Sequence, residues 1–581
     1  MRLKEVDFPQ RLLDAQGSNS LVVFAGAGVS MSPPSNFPGF EGLAQNITAG
    51  VLERESAEEP MERFLGRAEA QGVRVHEVAR DILSDPSSEP NLLHYELLKL
   101  FPNSAKVRLV TTNFDAHFST ATENMFESEV AHYYAPALPV GDRFDGVVYL
   151  HGSVKKEPER IVLTDSDFGR AYLTEGWARR FLQAMFTKYT VLFVGYSHED
   201  AVMNYLARGL PPDTQGLRFA LVDSGQDPER WKFRGITPVT YPLREGAGEH
   251  SALGEAITAW VTRTRMGTLD HERQIQELVA SAPPLDPEMA DYIAVAVKEP
   301  VKVRFFVRHA KSPEWLRWAD DQQAFDELFQ QVRAVDYIAR EMAYWFASNF
   351  VVEYPEEALA LVQRHGQRLN PTLWYAIAQK LASADPRPEP QVLARWVTFL
   401  LSSPPLDDTR RLLDTQLKAC RYPEDSISAI LLFEYLTRPL PRLKRTFSSE
   451  GTVVRPEIEV EGRVYVLKEV WQEFFRPNLD QFADNLERIV VSHLQQASLI
   501  LRSVGQATDR WDPVSFRRSA IEPHEQDFRD TGMDVLINAA RDILEWTVAH
   551  KPEHARNMIE EWVESDIPLL RRLAVHGMTQ S

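Results

Sequence analysis

Leu21-Val22-Val23-Phe24-Ala25-Gly26-Ala27-Gly28-Val29-Ser30 decides how the first half of this chain is read. Its apolar run predicts a parallel strand buried on both faces, and a Gly-Ala-Gly turn follows at once. Glycine at both ends of such a turn permits a tight bend and lets a phosphate reach the main chain without meeting a Cβ. A helix beginning near Ser30 would present free N–H groups to an anion. A glycine-rich turn is equally an ordinary strand-to-loop turn, so its meaning depends on what the chain sets opposite it.

Working outward, further short apolar runs stand at Val107–Thr111, Gly146–Leu150, Thr190–Val194 and Phe219–Val222, each separated from the next by enough chain for a helix. That alternation predicts an α/β domain with a Rossmann-like, doubly wound parallel sheet over residues 1–265. Ligands bind such sheets at the carboxyl ends of the strands. Every run is followed there by small, polar or ionisable residues: Gly26 to Ser30, then Thr111-Thr112-Asn113-Phe114-Asp115, His151-Gly152-Ser153, Gly195-Tyr196-Ser197-His198-Glu199-Asp200, and Asp223-Ser224-Gly225. Five such ends together predict a site. Taken singly, Asn113 and Asp115 are also helix-capping residues, and Ser197 and Asp200 suit the cap of a helix through Val202 and Leu206. His151 alone is also a satisfied core histidine, although Gly152 at the strand end favours the site.

Composition narrows the classes. A chain of 581 residues with 44% hydrophobic residues builds more than one domain. The net charge of −19 argues against a protein that coats nucleic acid. Cys420 is the only cysteine, which removes disulfides and cysteine-based zinc sites and fits a cytoplasmic setting. No apolar run suggests a membrane span, and Met1 to Gln10 lacks the apolar region of a secretory signal. No metal is expected, and His198-Glu199-Asp200 reads as the polar first turn of a helix.

Past Met266 the texture becomes helical over residues 266–581. Trp374, Ile377, Ala378 and Leu381 fall at helical spacing, as do Val392, Trp396 and Phe399, and Ala555, Met558, Ile559 and Trp562. Pro355, Pro371, Pro390, Pro552 and Pro568 stand at expected helix starts. The punctuation predicts a HEAT-like stacked array without a crisp repeat. A β-hairpin insertion is expected around Glu461-Gly462, with Ile458 and Val460 on one strand and Val464 and Val466 on the other. The basic stretch Arg438 to Arg445 reads as a solvated loop, and Val504 to Asp530 as a long polar segment. Leu569, Leu570, Leu573 and Ala574 form an apolar strip expected to need a partner or a further repeat in a longer array.

The order Gly-Ala-Gly-Val-Ser, Thr-x-Asn-x-Asp, His-Gly and Gly-x-Ser resembles the sirtuin signature over roughly residues 15 to 265. The resemblance implies NAD as the bound substrate. It implies that Gly26, Ala27, Gly28 and Ser30 hold the pyrophosphate, that Asn113 and Asp115 contact the nicotinamide and its ribose, with Thr112 also among the cofactor-binding residues, and that His151 is the catalytic base near that ribose. Gly195 and Ser197 would contact the adenosine half, and Asp223 the adenine ribose. Departures carry information too. No cysteine lies between Ser153 and Thr190, where protein-deacylating sirtuins carry a zinc module, and Pro38-Gly39-Phe40-Glu41-Gly42 matches the family loop only loosely. Phe40 is expected to cover the nicotinamide pocket. The block from His151 to Asp200 looks like the bacterial sirtuin-like domains of anti-phage defence, whose chemistry is NAD hydrolysis.

Asn113 and His151 are then the expected catalytic pair, with a histidine of ordinary pKa near about 6.5 suited to the proton transfer. The expected setting is NAD depletion in abortive infection, with a homo-oligomer and a phage-protein trigger or HerA-like ATPase as partner. Alternatives are a sirtuin-fold module serving a short Argonaute, and an NAD-dependent deacylase or ADP-ribosyltransferase.

Overall fold

The computed structural model describes all residues except 57, 198–216, 246–248, 284, 331–333, 367, 406–410, 449–450, 527–530 and 581, and omits the side chains of 445–448 and 451–455. His198-Glu199-Asp200 and the expected helix after them lie outside the described residues. The chain divides into two compact units, Met1–Gln274 with Pro284–Val295, and Ile275–Pro283 with Ala296–Ser581.

The first unit is built on seven strands: β1 (Leu21–Ala25), β2 (Arg108–Thr111), β3 (His132–Tyr134), β4 (Gly146–Tyr149), β5 (Thr190–Val194), β6 (Arg218–Asp223) and β7 (Thr237–Tyr241). They lie in the order β3-β4-β2-β1-β5-β6-β7, and every pairing is parallel. All five residues of β1 are buried because it is central and covered on both faces. Leu21, Val23 and Ala25 join one core with Trp260 and Phe118, and Val22 and Phe24 join the other with Phe186 and Phe168. A third core, formed by helices Phe40–Thr48, Met61–Ala70 and Val75–Leu83, reaches Phe114, Ile161 and Leu163.

Register explains why the strand ends meet. Ala25 is level with Thr111 and Val194, and Thr111 is level with Tyr149. The loops after β1, β2, β4 and β5 therefore leave the sheet at one height, and the strand order switches between β1 and β5. The sequence reading missed both edge strands: β3 has only three residues, and β7 carries Pro238, which an edge tolerates. No α-helix starts near Ser30. Ala27–Ser30 is a single 3₁₀ turn, and the next α-helix begins at Phe40.

The second unit is helical and organised by tryptophans. Trp315 donates its indole N–H to Val279 O at 3.0 Å, Trp345 to Ala310 O at 2.6 Å, Trp374 to Leu400 O at 2.9 Å and Trp396 to Val351 O at 3.1 Å. Each ring is buried and satisfies a carbonyl at or near a helix end, where intrahelical partners run out. The hairpin is displaced from its expected place. Pro439–Ser448 pairs antiparallel with Gly451–Val460, whereas Val464–Val470 is a helix. Three prolines, Pro439, Pro441 and Pro456, hid these strands, and a two-stranded ribbon accepts them because each strand is an edge. The basic stretch expected as a loop is one of its strands, and Lys444 pairs with Glu457 at 3.0 Å. Leu569, Leu570, Leu573 and Ala574 are buried within the unit, where Pro568–Gln580 packs on Gly532–His550 and Pro552–Glu564.

Candidate functional site

The turn after β1 is fitted to the turn after β5. Gly26 N donates to Val194 O at 2.9 Å, and Gly28 N donates to Gly195 O at 3.0 Å. A Cβ on Gly26 would stand 2.7 Å from Gly195 O, and one on Gly28 2.9 Å from Gly195 Cα. Gly195 has φ +75°, and its own Cβ would lie 2.7 Å from Val29 N. The three glycines thus let two backbones touch at the switch point, a different use from exposing the main chain to a phosphate.

The loop after β2 alternates its side chains. Phe114 inserts into the helical core, which turns Asn113 and Asp115 to the other side. Thr112 Oγ1 lies 2.7 Å from Tyr196 OH, which donates to Ala25 O at 3.1 Å. Asp115 Oδ1 accepts from His117 N at 2.9 Å, as its capping chemistry allows. Its Oδ2 accepts from Ser30 Oγ at 2.9 Å. Ser30 Oγ in turn accepts from Asn113 Nδ2 at 3.0 Å and lies 3.2 Å from His94 Nε2. Asn113 Oδ1 is buried with no hydrogen-bond partner.

These residues line a chamber of about 70 Å³ that also includes His151, Phe168 and Phe40. His151 is 1% exposed, and its Nε2 lies 2.8 Å from Tyr172 OH. Burial pushes its pKa down to about 3, well below the ordinary value expected from sequence, so the imidazole is neutral near pH 7. His94 is likewise pushed to about 3, by burial and then by His117. Ala27, Phe40 and Tyr196 line both this chamber and a cleft of about 1830 Å³ that runs along the carboxyl ends of β1, β5, β6 and β7.

The expected residues therefore fall into two groups. Ser30, Thr112, Asn113, Asp115 and His151 meet at the inner chamber, while Gly28, Gly195, Ser197 and Asp223 line the outer cleft. Ala27 and Phe40 stand where the two adjoin. Gly26 lines neither, being taken up by contact with Gly195 and Tyr196. The Asp223 carboxylate accepts from Gly225 N at 3.0 Å and Gln226 Nε2 at 2.6 Å, which fixes it at the end of β6. Among the described residues no group of three or more His, Cys, Asp or Glu is arranged to hold a metal ion.

Sequence reasoning missed His94, Tyr172 and Tyr196. Tyr196 occupies the free position of Gly-x-Ser. Asn91-Leu92-Leu93-His94 reads as a helix start, and it is one: Asn91 caps Leu92–Lys99 in a capping box with His94. Nothing local to Tyr172 announces that it meets His151 across 21 residues.

Residues 107–238 match the family model of the SIR2-like domain. The match spans β2 to β6 and holds Asn113, His151, Ser197 and Asp223; β1 and its turn precede it and are joined to it by the sheet. The first unit thus carries a SIR2-like domain, a class that binds NAD. The uncharacterized protein y4cA of Sinorhizobium fredii (strain NBRC 101917 / NGR234) is 25% identical over 631 residues, covering 100% of this chain and 50% of that protein. The chain therefore spans about half the length of this curated relative.

Proposed function

We propose that this chain is an NAD glycohydrolase that cleaves the nicotinamide–ribose bond. The observation that carries the reading is Asn113 Oδ1, a buried acceptor without a partner in the same small chamber as a neutral histidine. An orphaned buried acceptor is costly, and a ligand or water that donates to it removes the cost. The outer cleft, about 1830 Å³, supports the reading by its size, and a dinucleotide would lie along the strand ends with its reactive end toward Phe40. The inner chamber, about 70 Å³, is small beside the outer cleft, and we expect the Phe40 side to give as nicotinamide enters.

Cleavage moves the electron pair of the C1′–N bond onto the nicotinamide nitrogen and leaves an oxocarbenium-like ribosyl cation. Water attacks C1′ and loses a proton, giving ADP-ribose. A cationic electrophile asks for a positioned water more than for a strong base. Asn113 Oδ1 would accept from that water, and the weakly basic His151 would take its proton. The Asp115 carboxylate on the chamber wall favours the positive charge that develops. The wider setting we propose is NAD depletion in anti-phage defence, governed through the helical unit and a protein trigger, in a homo-oligomer.

The test is release of nicotinamide and ADP-ribose from NAD by the purified chain, with and without infected-cell lysate. Asn113→Ala is expected to lower kcat by about 100-fold or more, and His151→Ala by about 10-fold or more. Turnover that survives both substitutions unchanged, or no turnover under either condition, defeats the reading. Label passing from NAD to a peptide with little free ADP-ribose would replace hydrolysis by transfer.

A further inference from the structure

We infer that Ser30 is not a phosphate ligand but a positioning residue that, with His94, fixes the carboxamide of Asn113. The inference rests on the functional reading above for its kinetic consequence and on hydrogen-bond arithmetic for its geometry.

A serine hydroxyl has one proton to give and two lone pairs to receive with. Ser30 gives its proton to Asp115 Oδ2 at 2.9 Å. One lone pair receives Asn113 Nδ2–H at 3.0 Å. The other faces His94 Nε2 at 3.2 Å. His94 Nδ1 lies 2.9 Å from Asn91 Oδ1 and 3.2 Å from Asn91 N; with the capping-box bond from Asn91 N accepted at Nδ1, the proton of the neutral ring is on Nε2 and is donated to Ser30. Every valence of the hydroxyl is then used, and Ser30 is 2% exposed. A phosphate oxygen accepts and cannot donate, so it needs a proton that Ser30 no longer has. The cleft-lining residues of the same turn are Ala27 and Gly28, not Ser30.

The arrangement decides which way the Asn113 amide points. Its N–H₂ end is tied to Ser30, and its carbonyl end is left over as the buried, unpartnered Oδ1. Without Ser30 the amide is free to rotate by a half-turn and offer N–H where a water or a ribose hydroxyl must donate. His94 acts one bond further back. It supplies the third partner of the hydroxyl, from a helix start whose capping box holds the ring.

A phosphate ligand and a positioning residue leave different kinetic marks. Ser30→Ala in the full chain is expected to lower kcat for NAD by about 100-fold, the scale of a misplacement near 1 Å, with KM and the NAD Kd within about twofold. His94→Phe, which keeps a ring and removes the donor, is expected to lower kcat by about 10-fold, and His94→Gln to restore most of it through its side-chain N–H. A neutron crystal structure of Ser30→Ala, which tells the amide oxygen from the nitrogen, is expected to show the Asn113 amide turned over or disordered. The inference is overturned if Ser30→Ala keeps kcat and loses NAD affinity, if His94→Gln is as impaired as His94→Phe while both melt like wild type, or if the Asn113 amide is unmoved. Wild type that neither binds nor cleaves NAD would fail the hydrolase reading, while the crystal structure would still judge the geometry.

Discussion

Asn113 and Asp115 sit two residues apart on one loop, yet only Asn113 is left with an unused atom. The motif spacing named both, but it could not reveal which one the fold leaves unsatisfied, because that depends on Ser30 arriving from 83 residues away. Separation along the chain, here 21 residues to Tyr172, also hid the state of His151. Its neighbour Gly152 marked it as a site residue, whereas its pKa depends on burial beneath Phe168 and Tyr172. A pH consequence follows for stability. His94 and His151 have folded pKa values near about 3 against an unfolded value near 6.5, so the unfolded chain binds protons first as pH falls. Their contribution is complete above pH 6.5 and is lost progressively toward pH 3. Denaturant titrations at pH 8 and pH 5 should differ by about 2 kcal/mol for each of the two histidines at pH 5. The kcat profile for NAD is expected to lack an inflection near pH 6.5 from His151, and such an inflection that disappears in His151→Ala would contradict the burial argument.

At the scale of elements, the strands of the sheet were legible wherever both faces are covered. β1 and β5 begin and end where the apolar runs do, since a doubly buried strand must be apolar throughout. Edge strands and the two-stranded ribbon were not legible: β3 has only three residues, and β7 and the ribbon keep prolines that a central strand excludes. Contact between the turns after β1 and β5 is the joint that holds the site, and we expect Gly195→Ala to cost at least about 2 kcal/mol in chemical denaturation. That variant should also weaken NAD binding, because Val29 N and the Gly26–Gly28 turn must move to admit a Cβ. In the helical unit, Trp345→Phe keeps the stacking on Phe325 but leaves Ala310 O without its donor. A loss of about 1–2 kcal/mol is expected from that substitution.

Over the whole molecule, charge sets what the surface attracts. With a net charge of −19, the chain is expected not to retain single-stranded DNA or RNA at physiological salt, measured by anisotropy of a labelled oligonucleotide. Salt-sensitive retention would revive a nucleic-acid-guided role. No helix among the described residues is long and apolar enough to cross a membrane. The helical texture of the second half was legible from proline punctuation and aromatic spacing, but the partners of its tryptophans were not, since each indole reaches a carbonyl 26 to 45 residues away. Each of the four bonds ties a buried indole to a carbonyl at or near the end of another helix of the same unit, so these helices are fastened at their ends as well as along their apolar faces. Exchange of those indole protons with solvent would register which of these fastenings opens first as the unit is destabilised.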